Sequence, residues 1–193
     1  SGASGGERGR ELRLRCSQLP LRRFDPPAHL VRVALCGAVK GRDLIVGFPE
    51  GAMASAGRGQ HLIPWPNRIR DGKYEYADRS HQLPLSEPAR ANSSHGLTRW
   101  ACWNATQHTA DTVVMGYQLM AQPGYPWALS LQIRYTVDAS GLNVAVEATN
   151  LSDSPAPYAY GAHPYLTTGS ETIDDNTLVV STSAFVEVDP DRL

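Results

Sequence analysis

Three runs of alternating or β-branched residues, separated by turn-forming residues, constrain the fold of this chain more than any other feature. The runs cover residues 111–121, 127–137 and 142–149. Alternation with a period of two places every second side chain on one face of a strand. The turn from Asp138 to Gly141 joins the last two runs and predicts an antiparallel hairpin over 127–149. The predicted apolar faces are Leu129, Leu131, Ile133 and Tyr135 in one strand and Leu142, Val144, Val146 and Ala148 in the other.

Further strands are predicted on both sides of this hairpin. Lys73–Tyr76 and residues 81–85 flank a turn at 77–80, which predicts a second hairpin over 73–85. Residues 177–188 predict one or two more strands. No segment of ten or more residues has a convincing helical period of 3.6. Short strands at this spacing are typical of an antiparallel sandwich, so the predicted fold class is all-β.

Composition excludes several classes of protein. The 193 residues suit one large domain, and a hydrophobic fraction of 41% argues against wholesale disorder. No stretch reaches the roughly 18 apolar residues that a spanning helix needs, so we expect no membrane partner. Cys16, Cys36 and Cys102 are odd in number and widely spaced, which favours a reducing compartment. We therefore expect a cytoplasmic protein, and the sequence has no signal for its oligomeric state.

The first forty residues differ from the rest in charge. Residues 1–42 hold nine Lys/Arg against three acidic residues, whereas the remainder holds nine basic and sixteen acidic side chains. A basic arm could bind nucleic acid or a membrane surface, but no aromatic or helical pattern accompanies the charge. Pro20, Pro26 and Pro27 also interrupt any strand. We interpret residues 1–40 as a basic leader and expect no nucleic-acid partner.

A proline-flanked cluster near residue 65 could aim polar groups into a cleft. Prolines on both sides of Trp65 stiffen the chain, and Asn67 and Arg68 follow directly. The planar fork of an arginine suits vicinal hydroxyls or a carboxylate. A loop arginine paired with a surface acid is the alternative interpretation, and these residues alone do not decide between the two.

Two further clusters each place a histidine beside glycine or proline. His95 lies in Asn-Ser-Ser-His-Gly-Leu, and His163 lies in Gly-Ala-His-Pro-Tyr. Histidine is the side chain best suited to exchange a proton at neutral pH, although a structural role explains any single one. No histidine or cysteine spacing typical of a metal site occurs, and no Gly-x-Ser-x-Gly nucleophile motif is present. The neighbouring aromatics could stack on sugar rings or pack in the core: Trp65, Tyr158, Tyr160 and Tyr165.

Taken in order, these motifs resemble the aldose 1-epimerase (galactose mutarotase) family. The run Pro-Trp-Pro-Asn-Arg-Ile, then the His95 and His163 motifs, is similar to the bacterial branch of that family, and the likeness extends from about Gly41 to Leu193. The resemblance implies a partial mutarotase-like β-sandwich over 41–193 that interconverts the α and β anomers of a hexose without a metal or organic cofactor. It implies that His163 donates a proton to the ring oxygen. It also implies that His95 is a second catalytic residue, which binds and polarises sugar oxygens with Arg68, and that Asn67 beside Arg68 binds the substrate.

One departure from the family pattern shapes what we expect of this chain. The family's catalytic base is a glutamate far past the second histidine, and here the chain stops thirty residues after His163. Glu171 and Glu187 lie too early to take that role. We therefore expect the 193-residue chain to be a poor catalyst and prone to aggregate, because a shortened sandwich exposes a sheet edge and apolar faces. The open alternatives are a non-catalytic sugar-binding module and an enzyme for hexose 6-phosphates. The second needs extra cations, and the sequence does not place Arg58, Arg70 or Arg99 in the cleft.

Overall fold

The structure, a computed structural model, describes residues 45–49, 52–138, 141–188 and 190–191. Within these residues the regular elements are strands, apart from two single 3-10 turns at Ser55–Gly57 and Pro88–Arg90. The predicted all-β class is confirmed. The basic leader, residues 1–40, lies outside the described residues. The strands are β1 (His61–Leu62), β2 (Arg68–Arg70), β3 (Lys73–Tyr76), β4 (Arg79–Gln82), β5 (Asn92–Ser94), β6 (Asn104–His108), β7 (Thr112–Leu119), β8 (Leu129–Asp138), β9 (Gly141–Asn150) and β10 (Gly161–Ala162).

The largest sheet is four-stranded and antiparallel, in the order β6-β7-β8-β9. The hairpin predicted over 127–149 is confirmed as β8 and β9, with Asp138 opposite Gly141 at its turn. Cross-strand partners share one face of a sheet, and the predicted apolar faces meet in the pairs Leu131–Ala148 and Ile133–Val146. The alternating pattern therefore predicted both strands, and the structure adds their register.

The predicted hairpin near residue 80 is also confirmed, with a tighter turn. β3 pairs with β4 through only two loop residues, Ala77 and Asp78, whose φ angles are 50° and 58°. Positive φ at both central positions defines a type I′ turn, whose twist matches that of the flanking strands. The second strand therefore begins at Arg79, two residues earlier than predicted.

The core lies on one face of the four-stranded sheet. Leu119, Leu129 and Leu131 from β7 and β8 pack in one cluster with side chains from the first half of the chain. The Trp127 indole N–H at the edge of the cluster donates to Ser154 Oγ at 3.0 Å, whereas the buried Trp65 indole N–H has no hydrogen-bond partner among the described residues. The other members of the cluster are Ile63, Trp65, Leu83, Tyr125 and Trp127.

The strands predicted over 177–188 are wrong. No strand is assigned between these residues, and Leu178, Val180 and Phe185 are 74%, 61% and 87% exposed. A strand needs a partner for its backbone groups, and none of the described strands pairs with this segment. In the described part of the chain, no helix is long and apolar enough to cross a membrane.

Candidate active site

Two short strand pairs bring three distant motifs to one place. β2 pairs with β5 so that Arg68 lies opposite Ser94, the residue before His95. β1 pairs with β10, which ends immediately before His163. Strands of two or three residues have little stability of their own. Their positions therefore depend on the loops and side chains around them.

The backbone at His95 is fixed by the proline-flanked loop. His95 has a φ of 60°, and its amide donates to the Asn67 carbonyl at 2.7 Å. Gly96 follows with a φ of 72°, and a Cβ there would lie 2.2 Å from the carbonyl oxygen of Ile63. Only glycine permits such a close approach with a positive φ. This explains why the histidine is followed by glycine.

His163 is held by backbone hydrogen bonds to the segment before β1. Its amide donates to the Gln60 carbonyl at 3.1 Å, and its own carbonyl accepts from the Gly59 amide at 2.9 Å. Gly57 lies against the ring, because a Cβ there would be 3.0 Å from His163 Cδ2 and the residue has a φ of 75°. On this side the imidazole therefore packs against the backbone of a glycine, which has no side chain.

The two predicted histidines meet in space. Their ring centroids are 5.1 Å apart and the rings are nearly perpendicular, at 89°. Burial lowers the pKa of His95 to about 4, with further lowering by Arg99, His163 and Arg68. Burial, Arg99 and Arg68 also lower the pKa of His163. Both imidazoles are therefore neutral at pH 7, and each can donate through one nitrogen and accept through the other.

Arg68 is oriented by an acid and by its neighbour. Its Nε and Nη2 donate to the two carboxylate oxygens of Glu87 at 2.6 and 2.8 Å, and its Nη1 donates to Asn67 Oδ1 at 3.1 Å. These hydrogen bonds raise the pKa of Arg68 and lower that of Glu87. Arg68 does pair with an acid, as the alternative interpretation held, but two of its five N–H groups remain for oxygens of a ligand.

A second arginine lies beside the histidines. Arg99 Nε donates to Gln60 Oε1 at 2.9 Å, and Gln60 Nε2 donates back to the Arg99 carbonyl at 2.9 Å. The Arg99 guanidinium also lies 5.5 Å from the ring of Trp100, which is 57% exposed. Arg58 instead stacks over the ring of Tyr165 at 4.9 Å and donates to the Gly47 carbonyl.

The aromatic residues singled out from the sequence have different surroundings. Trp65 is buried in the core, and Tyr160 stacks on His61 while its hydroxyl bonds to that ring at 2.9 Å. Tyr165 has its ring centroid 6.2 Å from that of His163. Core and structural contacts therefore account for Trp65 and Tyr160, whereas Tyr165 lies at the histidine pair.

Sequence reasoning did not identify Glu87 or Gln60, both of which orient an arginine at this site. No local pattern could have revealed them, because each reaches its partner only through the pairing of β2 with β5 or the packing around β1. Among the residues that the structure describes, no group of three or more His, Cys, Asp or Glu side chains could hold a metal ion.

Comparison with known proteins finds a matching family model and two related proteins of Escherichia coli. A family model described as aldose 1-epimerase matches residues 28–193. The chain is 36% identical over 137 residues to the uncharacterized protein YihR of Escherichia coli K12, which covers 70% of this chain and 44% of YihR. It is 25% identical over 111 residues to the uncharacterized protein YphB of the same organism, covering 58% of this chain and 37% of YphB. The chain thus spans less than half the length of these relatives.

Two solved structures share the fold. A GalM/aldose epimerase homologue from C. elegans aligns with a TM-score of 0.61 at 22% identity, over 68% of this chain and 42% of that one. A putative aldose 1-epimerase from Escherichia coli K12 aligns with a TM-score of 0.53 at 19% identity, over 61% of this chain and 39% of that one. At these identities the likeness concerns the fold.

Proposed function

The chain belongs to the aldose 1-epimerase family, and on this premise we propose that it interconverts the α and β anomers of a hexose in the site around His95 and His163. The observation that carries the proposal is the contact between these two imidazoles, 5.1 Å apart by centroid. Two neutral proton-exchanging groups at one place suit a reaction in which protons move between sugar oxygens. The sugar is the proposed small-molecule partner, and we propose the cytoplasm as the location.

The proposed reaction opens and closes the sugar ring. His163 first takes up a proton, and its imidazolium then donates that proton to the ring oxygen O5 while a base removes the proton from the anomeric hydroxyl. The C1–O5 bond breaks as the C1 carbonyl forms, C1 turns about the C1–C2 bond, and the reverse proton transfers close the ring on the other face. Only protons are transferred and no electrons are gained or lost, so we propose no cofactor. Each proton transfer contributes a factor of about 10² to 10⁴ in rate.

The other site residues have supporting roles in this proposal. His95 and the two remaining N–H groups of Arg68 bind sugar oxygens. Asn67 orients Arg68 through its Oδ1 and holds His95 through its carbonyl. Glu87 is a poor candidate for the base, because both its oxygens accept from Arg68 and its pKa is lowered. A carboxylate with a lowered pKa is a weaker proton acceptor. We therefore assign Glu87 as a positioning residue for Arg68.

The proposal is tested by two-dimensional exchange NMR of D-glucose anomers with the 193-residue protein. Because the described site offers a proton donor without an available carboxylate base, we expect slow exchange that added formate accelerates, beyond its effect in buffer alone. His163→Gln removes the protein-dependent part, whereas the exposed His108 of β6 serves as the matched control in His108→Gln. The absence of protein-dependent exchange, with formate and without it, would overturn the assignment.

A sugar-binding module is the second candidate. The engagement of both Glu87 oxygens by Arg68 favours it, because this carboxylate is then not free to act as the base. Chemical-shift titration with glucose separates the two. Saturable binding that is unchanged in His163→Gln and accompanied by no exchange supports the module and contradicts the epimerase.

A further inference from the structure

Both histidine motifs of the candidate site contact the backbone of His61, whose side chain the proposed reaction does not use. As the first residue of β1, His61 pairs directly with Ala162 of β10, the residue before His163. Its carbonyl accepts from the hydroxyl of Thr98, in the segment that follows His95, at 2.9 Å. A displacement of His61 would therefore be felt on both sides of the site.

The ring of His61 bridges two tyrosine hydroxyls. Its Nδ1 bonds to the Tyr160 hydroxyl at 2.9 Å, and its Nε2 bonds to the hydroxyl of Tyr135 on β8. Burial lowers the pKa of His61 to about 4, so at pH 7 the neutral ring has one N–H donor and one acceptor nitrogen. One tyrosine hydroxyl therefore donates to the ring and the other accepts from it. With both nitrogens bonded, the imidazole is held in one orientation.

These contacts connect the β1–β10 pair to the main sheet. Tyr135 is a half-buried residue of β8, which is paired on both sides, whereas β1 and β10 have two residues each. His61 and Ala162 share one face of the short pair, and Tyr160 stacks on the His61 ring. Because side chains alternate along a strand, His163 lies on the opposite face of the pair from Ala162. One face is thus anchored to β8 while the other presents the proposed proton donor.

Building on the proposed function, we propose that His61 is a positioning residue for His163, acting through the two tyrosine hydroxyls that its ring contacts. The amide and carbonyl of His163 bond to Gln60 and Gly59, directly before β1, so movement of β1 moves the imidazole. General acid catalysis needs a heavy-atom distance of about 2.6–3.2 Å, and a misplacement of about 1 Å costs up to roughly 10²-fold in rate. The connection to β8 fixes the place of His163 relative to the ring oxygen of the sugar.

Hydrogen bonds suit this role better than apolar packing alone. They are directional and restrict both distance and angle, whereas contacts between hydrocarbon groups have no preferred direction. A hydrocarbon side chain in the place of His61 would fill the space between the two tyrosine rings. It would also leave the Tyr135 hydroxyl without this partner and would remove the connection between β8 and Tyr160.

Three variants test the proposal in the full 193-residue protein. Tyr160→Phe removes one hydroxyl from a side chain that is 39% exposed and keeps its ring, so the cost in stability is small. His61→Phe removes both hydrogen bonds and keeps an aromatic ring. Tyr74→Phe is the matched control, because it removes a tyrosine hydrogen bond outside the β1–β10 pair, to the Gly124 carbonyl at 2.7 Å. Circular dichroism establishes that each variant is folded.

The position of His163 is read by NMR without any turnover. The rings of His95 and His163 have centroids 5.1 Å apart, close enough for nuclear Overhauser contacts between their protons. We expect Tyr160→Phe and His61→Phe to weaken these contacts and to shift the ring-proton resonances of His163. Tyr74→Phe should leave both signals as they are in the wild-type protein.

Anomer exchange of glucose with added formate gives the second measurement. Tyr160→Phe and His61→Phe should each reduce kcat by about 10-fold and change KM by less than about twofold, because positioning acts on proton transfer and not on sugar binding. A variant that combines the two changes should be no slower than His61→Phe alone, because both remove the same connection. Tyr74→Phe should keep the wild-type kcat.

The outcomes separate this inference from the proposed function. Wild-type ring contacts and rates in both Tyr160→Phe and His61→Phe would overturn the role of His61. Equal losses in Tyr74→Phe would overturn it too, because they would trace the effect to lower stability in general. If the wild-type protein exchanges no anomers, the epimerase fails while the ring contacts still decide the present proposal. Their loss in the two variants supports the positioning of His163, and their persistence contradicts it.

Discussion

β8 and the segment 177–188 are both rich in apolar and β-branched residues, but only β8 forms a strand. β8 is paired on both sides, with β7 and β9, and Leu131 and Ile133 are each 1% exposed. In 177–188 the side-chain hydrogen bonds are local, between Thr182 and Ala184, and the apolar side chains face solvent. An apolar pattern therefore becomes a strand only where partner strands supply hydrogen bonds and a second layer covers the apolar face.

Hydrogen exchange should show the largest difference between the two regions. Amides at the centre of β8 should exchange only through global unfolding, whose free energy is about 5–15 kcal/mol in domains of this size. Amides of 177–188 should exchange at close to the rates of an unfolded peptide, because they lack ladder hydrogen bonds. Exchange followed by mass spectrometry checks both, and protection of 177–188 comparable to β8 would contradict the interpretation.

Much of the fold was predictable from the sequence because its longer strands repeat with a period of two. β8 and β9 were found in this way, whereas β7 was predicted from its β-branched and aromatic residues and the β3–β4 hairpin from the turn between its strands. β6 was missed because four of its five residues, Asn104–His108, are polar and all five are exposed. β1, β2, β5 and β10 were missed because two or three residues are too few to show a period.

The site was predictable only in part. His95, His163, Asn67 and Arg68 lie within short motifs that resemble a known family, and their roles stay predictions. Glu87 and Arg99 acquire their positions from contacts with residues distant in sequence. The same limit applies to 177–188, where local propensity favours a strand that its surroundings do not support.

Truncating a buried leucine and an exposed leucine should have different effects on stability. Leu131→Ala removes a core side chain between β7 and β9 and should lower the free energy of unfolding by about 2–5 kcal/mol. Leu178→Ala removes the same atoms from a side chain that is 74% exposed and should change it by less than about 0.5 kcal/mol. Urea denaturation measures both values, and equal losses would show that 177–188 is packed in solution.

The stability of the region around β8 should also depend on pH. The ring of His61 bonds to the hydroxyl of Tyr135 on β8 and to that of Tyr160, and burial lowers its pKa to about 4. The unfolded chain then binds the proton more tightly than the folded one. Stability should therefore be greatest above pH 6.5 and fall by up to about 3 kcal/mol as the pH drops from 6.5 to 4.

The contribution of His61 is isolated by its variant. His61→Gln should flatten the dependence of unfolding free energy on pH between 5 and 7, and a residual slope from His95 and His163 should remain, since their pKa values are also lowered. The range from pH 5 to pH 7 lies above the titration of Glu87. Because the pKa of Glu87 is lowered in the folded protein, its contribution to stability declines only at more acidic pH. An unchanged slope in the variant would exclude His61 as a source of the pH dependence.

The smallest change in stability is expected at Phe185, which is 87% exposed. A side chain that contacts water in the folded and unfolded states contributes little to the difference between them, so Phe185→Ser should alter the free energy of unfolding by less than about 0.5 kcal/mol. Self-association should nevertheless decrease, because exposed apolar patches favour contacts between molecules. Phe185→Leu keeps the apolar character and is the control, with light scattering as the readout. If Phe185→Ser instead destabilised the protein as strongly as Leu131→Ala, the contrast between β8 and 177–188 would be wrong, because Phe185 would have to be buried against another part of the protein.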